Sequence, residues 1–181
     1  MLFTPDTEQS LGFVVALADT VPEASASGAD ELSDPDALDR LLDEWEYSGR
    51  RDGDARELQE VKAARERLTR IWHLDRDGVV AEVNAILAES NAVPQLVRHD
   101  RLDWHIHATS PDAPLAERML VEAAMALIDV VRADAVDRLR DCEAEDCAGI
   151  FVDLSKNGSK RYCSARCGNR MHVRAYRERR G

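Results

Sequence analysis

Apolar residues recur at helical spacing over most of the chain. The longest apolar run is LGFVVALA, Leu11–Ala18, well short of the roughly 18–20 residues that cross a bilayer. Asp6, Glu8 and Asp19 flank it and no basic leader precedes it, so it predicts a core helix rather than an export signal. The stretch 21–36, VPEASASGADELSDPD, is rich in Ser, Gly, Pro and acid and predicts a loop. Ser33 followed by Asp36 resembles a capping box. Leu38, Leu41, Leu42 and Trp45 then follow at helical spacing, and GRRDGD closes that helix. Leu58, Val61, Leu68 and Trp72 mark the next helix, and Val79, Val80, Val83, Ile86 and Leu87 another.

The period changes to two at Leu102, Trp104, Ile106 and Ala108, which predicts a half-buried strand. Gln95–His99 is positioned to pair with it through a turn at Asp100–Arg101. His105 and His107 fall on the face opposite Trp104 and Ile106. They read as its polar outer side rather than as a metal pair joined by His99. Ser110-Pro111-Asp112 ends the strand. A long helix is predicted from Pro114 to Arg140, with apolar positions that include Leu115, Met119, Ala123, Leu127, Val130 and Leu139.

Composition agrees with folded material: 44% hydrophobic and 33% charged residues in 181. There is no Gly-rich phosphate loop, nucleophile elbow or His-Glu-x-x-His, so no enzyme is expected. The net charge of −11 is unevenly distributed. From Lys156 onward nine Lys and Arg face a single acid, Glu178, giving +8, so residues 1–155 carry the remaining −19. A nucleic acid would be attracted by the tail and repelled by the rest.

All four cysteines lie in CEAEDCAGIFVDLSKNGSKRYC and the SARC that follows, spaced Cys142-x4-Cys147-x15-Cys163-x3-Cys167. Two close pairs separated by a hairpin-sized segment describe a four-thiolate zinc site, and a reducing cytoplasm favours metal over two disulfides. Ile150-Phe151-Val152 predicts a short strand, Lys156–Ser159 a turn, and Lys160–Tyr162 the return. Ser164 is a candidate cap for a helix whose first turn holds Cys167. So small a unit has little to bury and folds on its metal, one structural zinc with no open position for water.

On that last helix Arg166, Arg170 and Arg174 are spaced i, i+4, i+8, and Arg177 and Arg180 continue the stripe. With Lys160 and Arg161 they form the candidate nucleic-acid surface, and Arg170 is the candidate base reader. Tyr162 and Tyr176 add stacking that would favour single strands or RNA.

YCSARCGNR, followed by an Arg-rich helix and preceded by a paired-cysteine knuckle and an aromatic-Val-Asp strand, resembles the CGNR zinc-finger family. In that family the finger follows a mostly helical ABATE domain. The resemblance implies a bacterial, cytoplasmic, stress-related transcription regulator or zinc-ribbon nucleic-acid binder. LGFVVA departs from the Leu-Asp-aromatic-small-Asn-Thr opening of such proteins: Gly12, Val15 and Ala16 stand where polar residues would fall. A polar ligand site there is not expected.

The chain is therefore expected to be mainly α. A helical domain over residues 1–140, with one small β-hairpin, senses a signal or forms a homodimer. A zinc-ribbon or treble-clef-like ββα finger over residues 141–181 binds duplex DNA. The alternatives are an RNA-binding finger, or a protein-interaction module with a purely structural finger. No membrane partner is expected, and the sequence names no small-molecule ligand.

Overall fold

The computed structural model describes residues 2–98 and 104–180. Five helices build the body: α1 (Pro5–Ala18), α2 (Pro35–Glu44), α3 (Ala55–Ile71), α4 (Arg76–Glu89) and α5 (Leu115–Arg132). Between α4 and α5, β1 (Gln95–Val97) and β2 (His105–His107) form an antiparallel hairpin pairing Leu96 with Ile106. The predicted Asp100–Arg101 turn, Leu102 and His99 lie outside the described residues. A 3-10 turn (Val136–Arg138) leads to β3 (Leu139–Asp141), which pairs antiparallel with β4 (Ile150–Val152). Helix α6 (Ala165–Glu178) follows.

Helix α5 is the centre of the body, because its apolar positions run almost all the way round. Leu115, Met119, Val121, Ala124, Leu127 and Val130 are buried against α1, α3 and α4. The outer helices carry one apolar stripe each, such as Leu58, Val61, Leu68 and Ile71 on α3. Polar chemistry fixes where they start. Asp34, Asp54 and Asp75 cap α2, α3 and α4 by accepting the backbone N–H of Ala37, Glu57 and Gly78. The α2 cap is thus Asp34. Ser33 instead donates to the Asp34 carboxylate at 2.8 Å, because Pro35 occupies the first helical position and leaves the preceding residue as cap.

One charged group inside the body is compensated. Arg65 on α3 is 6% exposed and donates to Thr20 Oγ1 at 2.8 Å and Asp30 Oδ1 at 2.9 Å. It thereby holds the loop after α1. The Arg65 guanidinium keeps the Asp30 carboxyl far below the usual carboxylate range.

Three expectations are corrected. Helix α5 ends at Arg132, not Arg140. Asp134 enters the left-handed region at φ 53°, and the chain turns away to make Leu139–Asp141 a strand. The partner of Ile150–Val152 is therefore upstream, and Lys160–Tyr162 runs without strand pairing. The β1–β2 hairpin presents the opposite face to that predicted. His105 is 7% exposed, whereas Trp104, Ile106 and Leu96 are 63%, 45% and 67% exposed. Leu96 and Ile106 are direct cross-strand partners and cover each other on the outer side. Finger and body also share a core. Leu139 and Ile150 belong to the main apolar cluster, Trp72 Nε1 donates to the Phe151 carbonyl at 3.2 Å, and Ile150 N donates to Asp19 Oδ1 at 3.0 Å.

Candidate metal centre and basic helix

The four cysteines are delivered by three local structures. Strand β3 ends at Asp141, so Cys142 starts the knuckle, and its backbone N–H donates to the Gly149 carbonyl at 2.8 Å. The knuckle turns on the bond from Cys147 N to Ala144 O, 3.0 Å. After β4 the chain loops through 153–160 around Asp153, whose side chain is fully buried. The Asp153 carboxylate accepts from Ser155 N and Lys160 N, both at 2.9 Å, and from Arg140 at 3.3 Å. That loop brings Cys163 back to the knuckle, where Glu143 N donates to the Arg161 carbonyl at 2.9 Å. Ser164 then caps α6, its Oγ accepting from Cys167 N at 3.3 Å, so the fourth sulfur sits in the first helical turn.

The result is a sulfur cage. The four Sγ atoms all lie within 4.8 Å of one another, with Cys147–Cys163 at 3.8 Å and Cys163–Cys167 at 3.7 Å. Tetrahedral zinc with Zn–S bonds of about 2.3 Å requires sulfurs about 3.8 Å apart, so the donor set fits one zinc ion. Cys142, Cys147, Cys163 and Cys167 would hold it, with no fifth protein ligand among the described residues and no open position. Polar groups around the cage suit thiolates rather than thiols. Gly149 N points at Cys147 Sγ and Cys163 N at Cys142 Sγ, each at 3.4 Å, and the Arg170 guanidinium lies 3.6 Å from Cys167 Sγ. These donors offset the net −2 of a zinc tetrathiolate. Burial pushes the Cys147 and Cys163 thiols above their ordinary range, so a metal must displace their protons.

Gly149 is required by close approach. A Cβ there would lie 3.2 Å from Asp19 Oδ1, Cys147 Sγ and Cys163 Sγ alike. Gly149→Ala should therefore weaken zinc retention by about 1–2 kcal/mol, the scale of overpacking. Competition with a chromophoric chelator measures it; unchanged retention would contradict this packing argument.

The candidate nucleic-acid residues are placed as follows. The Lys160 ammonium rests 4.8 Å from the Phe151 ring centre, and Arg161 pairs with Glu143 at 2.6 Å. Arg166 donates to the Ala24 and Ser25 carbonyls, at 3.4 and 3.1 Å. Arg170 pairs with Asp146, and Arg174 with Glu145, both at 2.8 Å. Arg177 has no ion pair among the described residues, and Arg180 stacks on Tyr176 at 5.0 Å. The acids of the knuckle thus answer the arginines of the tail, a pairing visible only once α6 folds beside Cys142–Cys147.

A second feature escaped the sequence reading. A cavity of about 900 Å³ opens between α1, α5 and the β1–β2 hairpin, bounded among others by Phe13, Trp45, Tyr47, His105, His107 and Glu122. His105 and His107 approach Nε2 to Nε2 at 3.1 Å, and His107 Nδ1 lies 3.6 Å from Glu122. Burial and the neighbouring Glu122 carboxylate hold the Tyr47 phenol well above its ordinary range. Gly12, at a polar position of the resembling pattern, packs beneath the Trp45 ring, where a Cβ would come within 3.1 Å. The available sequence signal was the His-x-His pair on a strand; its facing could not be assigned from alternation alone.

Comparison with protein families agrees with this geometry. The ABATE family model, described as "Putative stress-induced transcription regulator", matches residues 12–134. The chain belongs to the ABATE family. The CGNR zinc finger model matches residues 138–180, so all four cage cysteines fall inside it. The ABATE match stops at Asp134, where the chain leaves α5. No curated protein matches the chain. Among the described residues no helix is long and apolar enough to cross a membrane.

Proposed function

We propose that this ABATE protein is a non-enzymatic transcription regulator that binds duplex DNA through α6, with zinc fixing the direction of that helix. The observation that carries the reading is the placement of Cys167 in the first turn of α6. A helix bearing Arg166, Arg170, Arg174 and Arg177 is thereby anchored at one end to a rigid cage. Its net positive charge contrasts with the acidic body, so a polyanion would meet the tail and not the rest. The family description points the same way. In this reading the body receives the signal, and the cavity beside His105 and His107 offers it a place.

The test uses the full zinc-loaded chain against duplex DNA and single-stranded RNA of matched length over a range of salt. Duplex should bind more tightly, with log K falling linearly against log salt by about 0.9 per phosphate contacted. Replacing Arg177 and Arg180 by Ala should reduce that slope by about two units. Preference for RNA would favour an RNA-binding finger. Binding to neither nucleic acid would favour a protein-interaction module and defeat the proposal.

A further inference from the structure

The buried seam of α6 is formed by Cys167, with Met171 and Ala175 half-buried beside it. The ridge on the opposite side runs through Asn169, Val173 and Tyr176, all exposed, with Val173 at 49% and Tyr176 at 51%, and Arg180 lies just past the end of the helix. Arg170 and Arg174 do not stand on this ridge. They lean to one flank, where Asp146 and Glu145 hold them at 2.8 Å, and Arg170 also faces the Cys167 sulfur. Taking Arg170 to a base would leave a knuckle acid and the thiolate cage without their cation. No acid stands on the ridge; Glu178 pairs with Arg174 at 3.2 Å.

Resting on the proposed binding of duplex DNA, we infer that the ridge of Asn169 and Val173 reads base edges in the major groove. Tyr176 aims Arg180 at a phosphate, and Arg170 and Arg174 position α6 against the knuckle. The major groove admits a helix. An amide donates and accepts in the pattern of an adenine edge, and a branched apolar side chain meets a thymine methyl. From Asn169 to Tyr176 the helix rises about 10 Å, roughly three base pairs. Arg166, Arg177 and Arg180 border the ridge and carry the charge that a phosphate backbone needs. This replaces Arg170 as base reader by its neighbour Asn169.

The experiment selects a preferred duplex from a random pool. It then measures the affinity ratio of preferred to scrambled duplex for the full zinc-loaded chain. Asn169→Ala and Val173→Ala should each lower that ratio at least about fivefold. Affinity for the scrambled duplex, its salt slope and zinc content should not change, because both side chains are exposed. Arg170→Gln should instead speed zinc loss to a chelator while leaving the ratio within about twofold. Three results would overturn the inference: an unchanged ratio in both ridge variants, equal losses on preferred and scrambled duplex, or a wild-type protein that binds duplex without preference. The last leaves the proposed DNA binding standing. Absence of binding to any nucleic acid removes both.

Discussion

Stripping the metal with a strong chelator, or changing Cys167→Ser, is expected to disorder α6 and both cysteine loops. It should also lower the melting temperature of the whole chain. Among the described residues the four cage cysteines are joined in the finger's own cluster only by Ala144, with Tyr162 and Met171 packed alongside. That is too little apolar area to order about 40 residues. A structural zinc site contributes roughly 10–16 kcal/mol of apparent binding free energy, and in so small a unit it is the main term. Separate cores for finger and body would leave the body untouched, but Leu139 and Ile150 are buried in the main cluster and Phe151 O accepts the Trp72 indole N–H. Fraying β3 and β4 therefore removes contacts from α1 and α3. A loss of about 2.5 kcal/mol of those shared contacts, at 2–4 °C per kcal/mol for a chain of this size, lowers the body's melting temperature by about 5–10 °C. Acid should act in the same direction. Protons compete for the sulfurs, and burial already favours protonated Cys147 and Cys163, so zinc is released as pH falls. Circular dichroism and amide exchange of the apo protein check this. Protected α6 amides after complete zinc removal would contradict it.

How much of this was legible beforehand depended on whether a pattern had a single cause. Leu58, Val61 and Leu68 are apolar for one reason, burial against α5, so helical spacing located α3. The cysteines are paired for one reason, a common ion, and their spacing led to the cage. Trp104 and Ile106 misled because alternation fixes which residues share a face and not which face is inside. The inward face there borders a cavity and carries His105. Leu139 misled because it continues the apolar spacing of α5 and yet is buried from a strand after the turn at Asp134. Arg170 and Arg174 read as a free stripe because their partners, Asp146 and Glu145, lie more than twenty residues upstream. Only the return of the chain through Cys163 brings them together.

Asp153, the acid of the aromatic-Val-Asp strand, is expected to be as sensitive to substitution as a core residue. Asp153→Ala should cost about 3 kcal/mol, measured by denaturant unfolding, and should weaken zinc retention. Its carboxylate is fully buried and takes three donors: Ser155 N, Lys160 N and Arg140. Alanine leaves two backbone N–H groups and a guanidinium without that acceptor, each at the cost of an unmet buried or half-buried group. The loss reaches the cage because Lys160 lies only three residues before Cys163, and Arg140 also donates to the Gly158 and Lys160 carbonyls at 3.1 and 3.0 Å. Burial pushes the Asp153 carboxyl up, but the hydrogen bonds from Ser155 and Lys160 and the charge of Arg138 outweigh it and hold the pKa below its ordinary value. With its folded pKa lowered, Asp153 stabilises the fold above the usual carboxylate range, and that contribution disappears as pH falls. Asp153→Asn should fall between wild type and alanine, since the amide keeps one acceptor but turns a second donor toward existing donors. Exchange of the Ser155 and Lys160 amides should accelerate in both variants, more in alanine. A melt within about 0.5 kcal/mol of wild type, the range of an ordinary surface substitution, would show that the loop is ordered by something other than this carboxylate.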